Sequence, residues 1–314
     1  MSSDRDDRRR LFINEVGVRD GFQSEARFVP TADKVRLVDA LSKTGLAKIE
    51  VTSFVSPRAI PNLRDAADVM AAIERVPGVT YSALVPNVRG AERAIDAKAD
   101  EINLVMSVGE SHNLANMRMT CAQSLAEFAR IMTLSRGTGV RANGTVATAF
   151  GCPFEGEIPL ERVLWAVDRY VELGMDAVTL ADTIGMAYPT QVRAFVDAVR
   201  IAHPGLEVTA HFHDTRGMGL ANVLAAVEAG VDHIDASLGG IGGCPYAPGA
   251  TGNVGTEDSV HMLDACGYDT GVDLARLIGL AQQLPDLLGH PVNSRVLMAG
   301  VRTTRHPTPA TATS

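Results

Sequence analysis

The chain has 314 residues, 29 Lys and Arg against 37 Asp and Glu for a net charge of −8, and 46% hydrophobic content. That acidic balance, with no basic run longer than Arg8-Arg9-Arg10, argues against nucleic acid or an anionic membrane as a partner. No apolar run approaches the ~20 residues that span a bilayer. The four cysteines, Cys121, Cys152, Cys244 and Cys266, form no CxxC pair, which argues against a structural zinc knot. With no secretory signal ahead of them, they are expected to be reduced thiols in a cytoplasmic protein.

In chain order, residues 1–10 read as a disordered arm. Leu11–Gly17 is a first strand, and a helix capped by Thr31 runs to about Thr44, where Gly45 stops it. Lys48–Val55, Thr80–Val85, Glu101–Ser107 and Arg141–Phe150 follow as strands, with helices over Arg64–Arg75, Ala91–Ala97, Cys121–Arg136 and Leu160–Leu173. Asp176–Asp182 is the sixth strand. Its helix carries Val192, Phe195, Val196 and Val199, the spacing of a helix that covers a sheet. Glu207–His213 is the seventh strand, and its helix repeats the stripe with Leu220, Val223, Leu224 and Val227. His233–Leu238 is the eighth, helices are expected between Ser259 and Leu288, and residues 301–314 form a flexible tail.

Eight strands alternating with helices give the rhythm of an α/β (β/α)₈ TIM barrel with extra C-terminal helices, one domain over residues 11–300. A doubly wound open sheet is the competing fold, but neither GxGxxG nor GxxxxGK[ST] follows the first strand. In such a barrel the site lies where the strands end. The polar residues there are Arg19, Asp20, Glu50, Asp182, His211, His213 and Asp214. Beyond the eighth strand comes the glycine-rich run Gly239–Asn253 with Cys244. Each alone reads as an ordinary turn, rim or core residue; a barrel gathers all of them around one mouth. His211 and His213, two apart on a strand, face the same side. With the Asp20 carboxylate and the Asn253 amide oxygen they make a mixed N/O ligand set. That set suits Mg²⁺ or Mn²⁺, and Co²⁺ or Zn²⁺ less well.

Six segments resemble 3-hydroxy-3-methylglutaryl-CoA lyase and its metal-dependent barrel relatives: Glu15–Gln23, Ile49–Pro57, Phe150–Gly156, Ala181–Gly185, His211–Thr215 and Gly242–Asn253. The resemblance runs from about Phe12 to Ala299. It implies retro-Claisen cleavage of a 3-hydroxy-3-methylglutaryl thioester to acetyl-CoA and a keto acid. It also implies a divalent cation held by Asp20, His211, His213 and Asn253, an acyl-CoA substrate and a homo-oligomer, dimer or higher. By the same resemblance Arg19 stabilises the enolate oxygen, Cys244 is the acid, and Glu50 orients Arg19 or a ligand. Glycines 239, 240, 242, 243, 249 and 252 would let the cysteine loop close. Asp20, His211 and metal-bound water are each candidates for the base.

The chain departs from the family at Val18 and Phe22. It also departs at Asn143-Gly-Thr-Val-Ala147, where the family more often has Arg-Gly-Tyr-Val-Ser, over Ser107–Asn113, and at Arg216 in place of a tyrosine. Those last three stretches are expected to face the acyl group. A lyase for a different 3-hydroxyacyl-CoA, or a Claisen-condensing or aldolase relative acting on 2-oxo acids, is therefore the alternative.

Overall fold

The strands are β1 Phe12–Glu15, β2 Lys48–Ser53, β3 Thr80–Leu84, β4 Glu101–Ser107, β5 Arg141–Ala147, β6 Ala177–Asp182, β7 Glu207–Phe212 and β8 His233–Ala236. They pair in parallel in sequence order, and β8 closes on β1 with Phe12 opposite His233. The structure is a computed structural model that describes residues 8–243 and 252–305. Among these, the expected closed (β/α)₈ barrel is found. Helices α1 Thr31–Leu41, α2 Ala66–Ala72, α3 Val88–Asp96, α4 Glu110–Met117, α5 Cys121–Ser135, α6 Leu160–Leu173, α7 Pro189–Ala202 and α8 Gly219–Glu228 cover it. The helices α9 Thr256–Ala265, α10 Leu274–Ala281, α11 Leu284–Leu288 and α12 Arg295–Ala299 follow. No described helix is long and apolar enough to cross a membrane.

Alternation along each strand sorts its residues. On β4, Ile102, Leu104 and Met106 are 0% exposed against the helices, while Asn103 and Val105 turn into the barrel. Val192, Phe195, Val196 and Val199 of α7 are buried, as their spacing predicts. On α8 only Val223 and Val227 of the expected stripe are buried; Asn222, Ala225 and Ala226 complete the covered face.

Several boundaries differ from the sequence reading. β1 stops at Glu15 because Gly17–Gly21 winds into a π-helical turn. The second helix shrinks to Ala66–Ala72, behind a 3₁₀ turn at Pro61–Leu63. α4 and α12 were not expected, and the span to Leu288 is three helices. α5 begins where predicted, because Thr120 and Gln123 form a reciprocal capping box. Arg9 and Arg10, assigned to the loose arm, are fastened to the barrel. Arg9 donates to Asp232 and to the carbonyls of Val227 and Val231, and Arg10 pairs with Asp269.

The barrel interior is polar, whereas such interiors are usually filled by branched apolar side chains. At the N-terminal end Lys48 pairs with Glu101 at 2.5 Å and Arg141 with Glu207 at 3.0 Å. Above them Asn14 donates to Asp235 and Asn143 to Thr179.

Glu15 joins the exits of β1 and β8. Its Oε1 accepts from Gly17 N at 2.7 Å and Leu238 N at 2.8 Å, and its Oε2 from Thr256 Oγ1 at 2.6 Å. A Cβ on Gly17 would lie 2.7 Å from Glu15 Oε1 and 2.9 Å from Ser237 Oγ, so only glycine lets the strand exits approach this closely. Burial pushes the Glu15 carboxyl up to about 7 from 4.5, against the hydrogen bonds that favour its charge. The folded state thus prefers neutral Glu15. The stability this contributes is full below pH 4.5 and is lost as pH rises through about 7. Glu15→Gln mimics the neutral form. Between pH 4.5 and 7 it is expected to lose less stability than the parent, by an amount on the order of 1 kcal/mol or more. Urea midpoints across that range check this; parallel curves for the two proteins would refute it.

Candidate active site

The C-terminal end of the barrel brings most of the expected residues together. The π-helical turn Gly17–Gly21 carries Arg19 and Asp20 from the exit of β1 over the strand ends. Such wide turns recur at functional sites because they re-aim side chains. On β7 the two-residue period sends His211 and, just past the strand, His213 to the same inner face. His213 forms an isolated antiparallel bridge with Asn253, which sets the amide beside the imidazole.

Asp20, His211 and His213 offer ligand atoms that all lie within 4.8 Å of one another. The two Nε2 atoms are 3.3 Å apart, and His213 Nε2 is 4.0 Å from Asp20 Oδ2. Asn253 donates from Nδ2 to Asp20 Oδ2 at 2.7 Å, and its Oδ1 is buried without a partner. Gly242, at φ +95°, fits here because a Cβ would lie 2.8 Å from Asn253 Nδ2 and 3.0 Å from the Asp20 carbonyl oxygen.

This cluster fits a divalent cation. The two imidazole nitrogens, 3.3 Å apart, can share one proton or turn both lone pairs to a cation. A buried amide oxygen with no donor lacks a partner of the same kind. Asp20 is ready to ligate. Burial alone would raise its carboxyl, but Arg19 and the two histidines hold it down at about 2. Burial, with His211 alongside, lowers His213 to about 4, so its imidazole stays neutral. His211 shifts the other way: the Asp235 hydrogen bond and charge outweigh the effect of burial.

Arg19 is 7% exposed and held on several edges. Its Nε donates to Glu50 Oε2 at 2.5 Å and its Nη1 to Asp20 Oδ1 at 2.8 Å. Glu50 therefore orients Arg19, one of the two roles the resemblance implied. Cys244 and Gly249 lie outside the described residues. Gly239, Gly240, Gly242 and Gly252 all have positive φ, between +64° and +95°.

Sequence reasoning missed several contributors. Asp235 accepts from His211 Nδ1 at 3.2 Å and from Asn14 at 2.9 Å, which leaves His211 Nε2 as the lone-pair nitrogen. Its signal was its place on β8, two residues after His233, directly opposite His211 in the register. Gln23 donates to Asp20 Oδ1 at 2.8 Å, and Asn103 donates to Glu50 Oε1 at 3.0 Å. Carboxylates behind ligating histidines typically contribute about 10–100-fold in metal affinity. Asp235→Asn is expected to weaken Mn²⁺ binding by about that factor in a direct titration. An unchanged affinity would reduce Asp235 to packing.

Of the stretches expected to face the acyl group, Arg216 does not turn into the barrel, whereas Ser107 shares the inner face of β4 with Asn103 and Val105 and is held there by the residues that follow it. Arg216 is exposed and donates to the carbonyls of Ile184 and Gly185, so it ties down the loop after β6. Ser107 and His112 are 0% and 1% exposed, with Ser107 Oγ 2.7 Å from His112 Nδ1 and Asn113 accepting from Ser107 N. That segment is the packed junction of β4 and α4. Asn143 and Thr145 also face the interior, where both donate to Asn103 Oδ1. A cavity of about 680 Å³ opens elsewhere, among His203, Glu207, Asp232 and His233. Among the described residues no second group of three ligating side chains converges there or elsewhere.

Comparison with known proteins agrees with this geometry. The HMGL-like family model matches residues 10–284. The chain is 42% identical to a hydroxymethylglutaryl-CoA lyase of Bacillus subtilis, over 92% of its own length and 97% of the relative's. It is 41% identical to the mitochondrial hydroxymethylglutaryl-CoA lyase of Gallus gallus, over 93% and 98% of the two chains. Among solved structures, an HMG-CoA lyase from Acenitobacter baumannii in complex with coenzyme A and 3-methylmalate superposes with a TM-score of 0.92. It is 51% identical over 95% of this chain and 98% of that one. A likeness this even, running from the first strand through the helices beyond the last, means that the chain belongs to the HMGL-like family.

Proposed function

We propose that this enzyme is a divalent-metal-dependent carbon–carbon lyase. It cleaves 3-hydroxy-3-methylglutaryl-CoA, or a thioester like it, to acetyl-CoA and a keto acid. The observation that carries the reading is the convergence of Asp20, His211 and His213 within 4.8 Å, beside an Arg19 guanidinium locked by Glu50.

Asp20, His211, His213 and Asn253 would hold the cation. When bound, it supplies positive charge to the substrate oxygen that becomes the ketone. Asp20, through a carboxylate oxygen not used on the cation, is the candidate to take the proton of the tertiary hydroxyl; His211 is committed, with Nδ1–H on Asp235 and Nε2 facing the cation site. The bond between the hydroxyl-bearing carbon and the carbon next to the thioester then breaks, and its electron pair passes into the thioester as an enolate. Arg19 hydrogen-bonds the enolate oxygen from a fixed position, so little reorganisation is needed as charge develops. Cys244 returns a proton to the carbon, completing acetyl-CoA; a thiol of ordinary pKa, near 8.5, carries that proton at neutral pH. The keto acid is acetoacetate when the substrate is the methyl compound.

Mg²⁺ or Mn²⁺ is the cation we favour, because the set is oxygen and imidazole with no described thiolate in it. A cytoplasmic location is supported by the free thiols of the described cysteines. The purified protein with Mg²⁺ or Mn²⁺ should release acetyl-CoA from 3-hydroxy-3-methylglutaryl-CoA and stop when chelator is added. Condensation of acetyl-CoA with 2-oxo acids, with no cleavage of any 3-hydroxyacyl-CoA, would overturn the reading.

A further inference from the structure

Glu50 is 3% exposed, and its two carboxylate oxygens are held by different partners. Oε2 accepts from Arg19 Nε at 2.5 Å and pairs with Nη2 at 2.5 Å. Oε1 accepts from Asn103 Nδ2 at 3.0 Å, its only hydrogen-bond donor among the described residues. This contact settles the orientation of the Asn103 amide. An ionised carboxylate only accepts, so the group that faces Glu50 is the NH₂. Oδ1 then faces the other way, and two donors meet it there, Asn143 Nδ2 at 3.1 Å and Thr145 Oγ1 at 2.6 Å. Asn143 Nδ2 also donates to Thr179 Oγ1 at 2.9 Å. Donors therefore run one way, from β5 to Asn103 and from Asn103 to Glu50, where the Arg19 fork arrives from the turn after β1.

A carboxylate gripped by one oxygen can swing about its last, soft torsion; gripped by both it is fixed in plane. Without Asn103, Oε1 is left buried with no donor, which is costly for a charged acceptor. The aim of Arg19 thus depends on a residue it does not touch. The charged groups around this contact are few. Arg19 lies on Glu50, Asp20 and Asp235 act on Arg19, and one layer below stands the Lys48–Glu101 pair, with Arg141 beyond it on Glu207. Two of the supporting residues, Asn143 and Thr145, stand where the chain departs from the family pattern, and both spend a donor on Asn103.

We propose that Asn103 is a positioning residue, locked by Asn143 and Thr145, that fixes the Glu50 carboxylate and through it the plane of the Arg19 guanidinium. The inference rests on the lyase reading, in which Arg19 meets the enolate oxygen. It assigns the polar inner face of β4 and β5 a part in the reaction without contact to the reacting atoms.

The test is steady-state kinetics of three variants on the metal-loaded enzyme, with thermal melts alongside. Asn103→Leu keeps the size and removes the amide. Its kcat is expected to fall about tenfold or more with KM within about threefold, because Arg19 acts on charge that develops only in the transition state. Thr145→Val alone should lower kcat about threefold, and in the Asn103→Leu background it should cost nothing further, because it acts through the amide. Asn103→Asp sets a second carboxylate against Glu50 Oε1. One proton shared between the two restores the contact, and losing it sets like charges face to face, so the higher pKa of the pair rises above the ordinary carboxylate range. The kcat of this variant relative to the parent should therefore fall about tenfold or more from about pH 5.5 to about pH 8. A parent-like kcat in Asn103→Leu, additive losses in the double variant, or an Asn103→Asp ratio flat across that range would each overturn the proposal. If Asn103→Leu does not fold, the Asn103→Asp profile decides alone. A parent enzyme that cleaves no 3-hydroxyacyl-CoA would instead remove the lyase reading, and this inference with it.

Discussion

Asp20→Ala is expected to lower kcat by about a thousandfold or more and to abolish the response to added Mg²⁺ or Mn²⁺. The size of the effect follows from what this one carboxylate does. It supplies the hard oxygen of the ligand set, and it accepts hydrogen bonds from Arg19, Gln23 and Asn253. Removing it leaves two facing imidazoles without their anionic partner and frees one edge of the Arg19 guanidinium. Asp20→Asn keeps the size and separates the two roles. If ligation dominates, both variants lose metal binding by calorimetric titration. If orientation of Arg19 dominates, Asp20→Asn still binds metal, but Arg19 loses its charged partner. Activity at the parent level in Asp20→Ala with saturating metal, or a parent that turns over without metal, would refute the ligand assignment.

Arg19→Lys carries the second large effect, a loss of about a thousandfold in kcat with a smaller change in KM. The substitution keeps the charge. It cannot keep the geometry, because an ammonium on a flexible stem does not reproduce a planar fork that donates to Glu50 from Nε and Nη2 and to Asp20 from Nη1. It also leaves the nearly buried Glu50 less well compensated, a type of change that can cost a few kcal/mol in stability. Thermal melts must therefore accompany the kinetics. A folded Arg19→Lys enzyme that retains kcat within about tenfold would exclude Arg19 as the group that stabilises the enolate.

The departures from the family pattern divide in an instructive way. Arg216, after strand seven, and Ser107–Asn113, from the end of strand four, were expected near the acyl group because the resemblance places them there. In the structure the first is spent on loop carbonyls and the second on a helix junction. Asn143 and Thr145 looked no different in sequence, yet their place on the inner face of β5 puts them in the barrel interior, where both donate to Asn103. Position along a strand decides this, and a loop position decides very little.

What the sequence by itself determined is what depends on local periodicity. The strand and helix rhythm specified the barrel, and the two-residue period of β7 put His211 and His213 on one face. The strand-exit positions of Arg19, Asp20 and Asn253 gathered them at one mouth. Only the tertiary structure decided which partners meet across strands. Asp235 backs His211 because β8 pairs with β7 in one register, and a shift of one residue would turn its side chain to the helices. Glu50 reaches both Arg19 and Asn103 because the sheet closes, bringing the turn after β1 and strands two and four to a common interior. Those contacts join residues 24, 31 and 53 positions apart, and no local spacing encodes them.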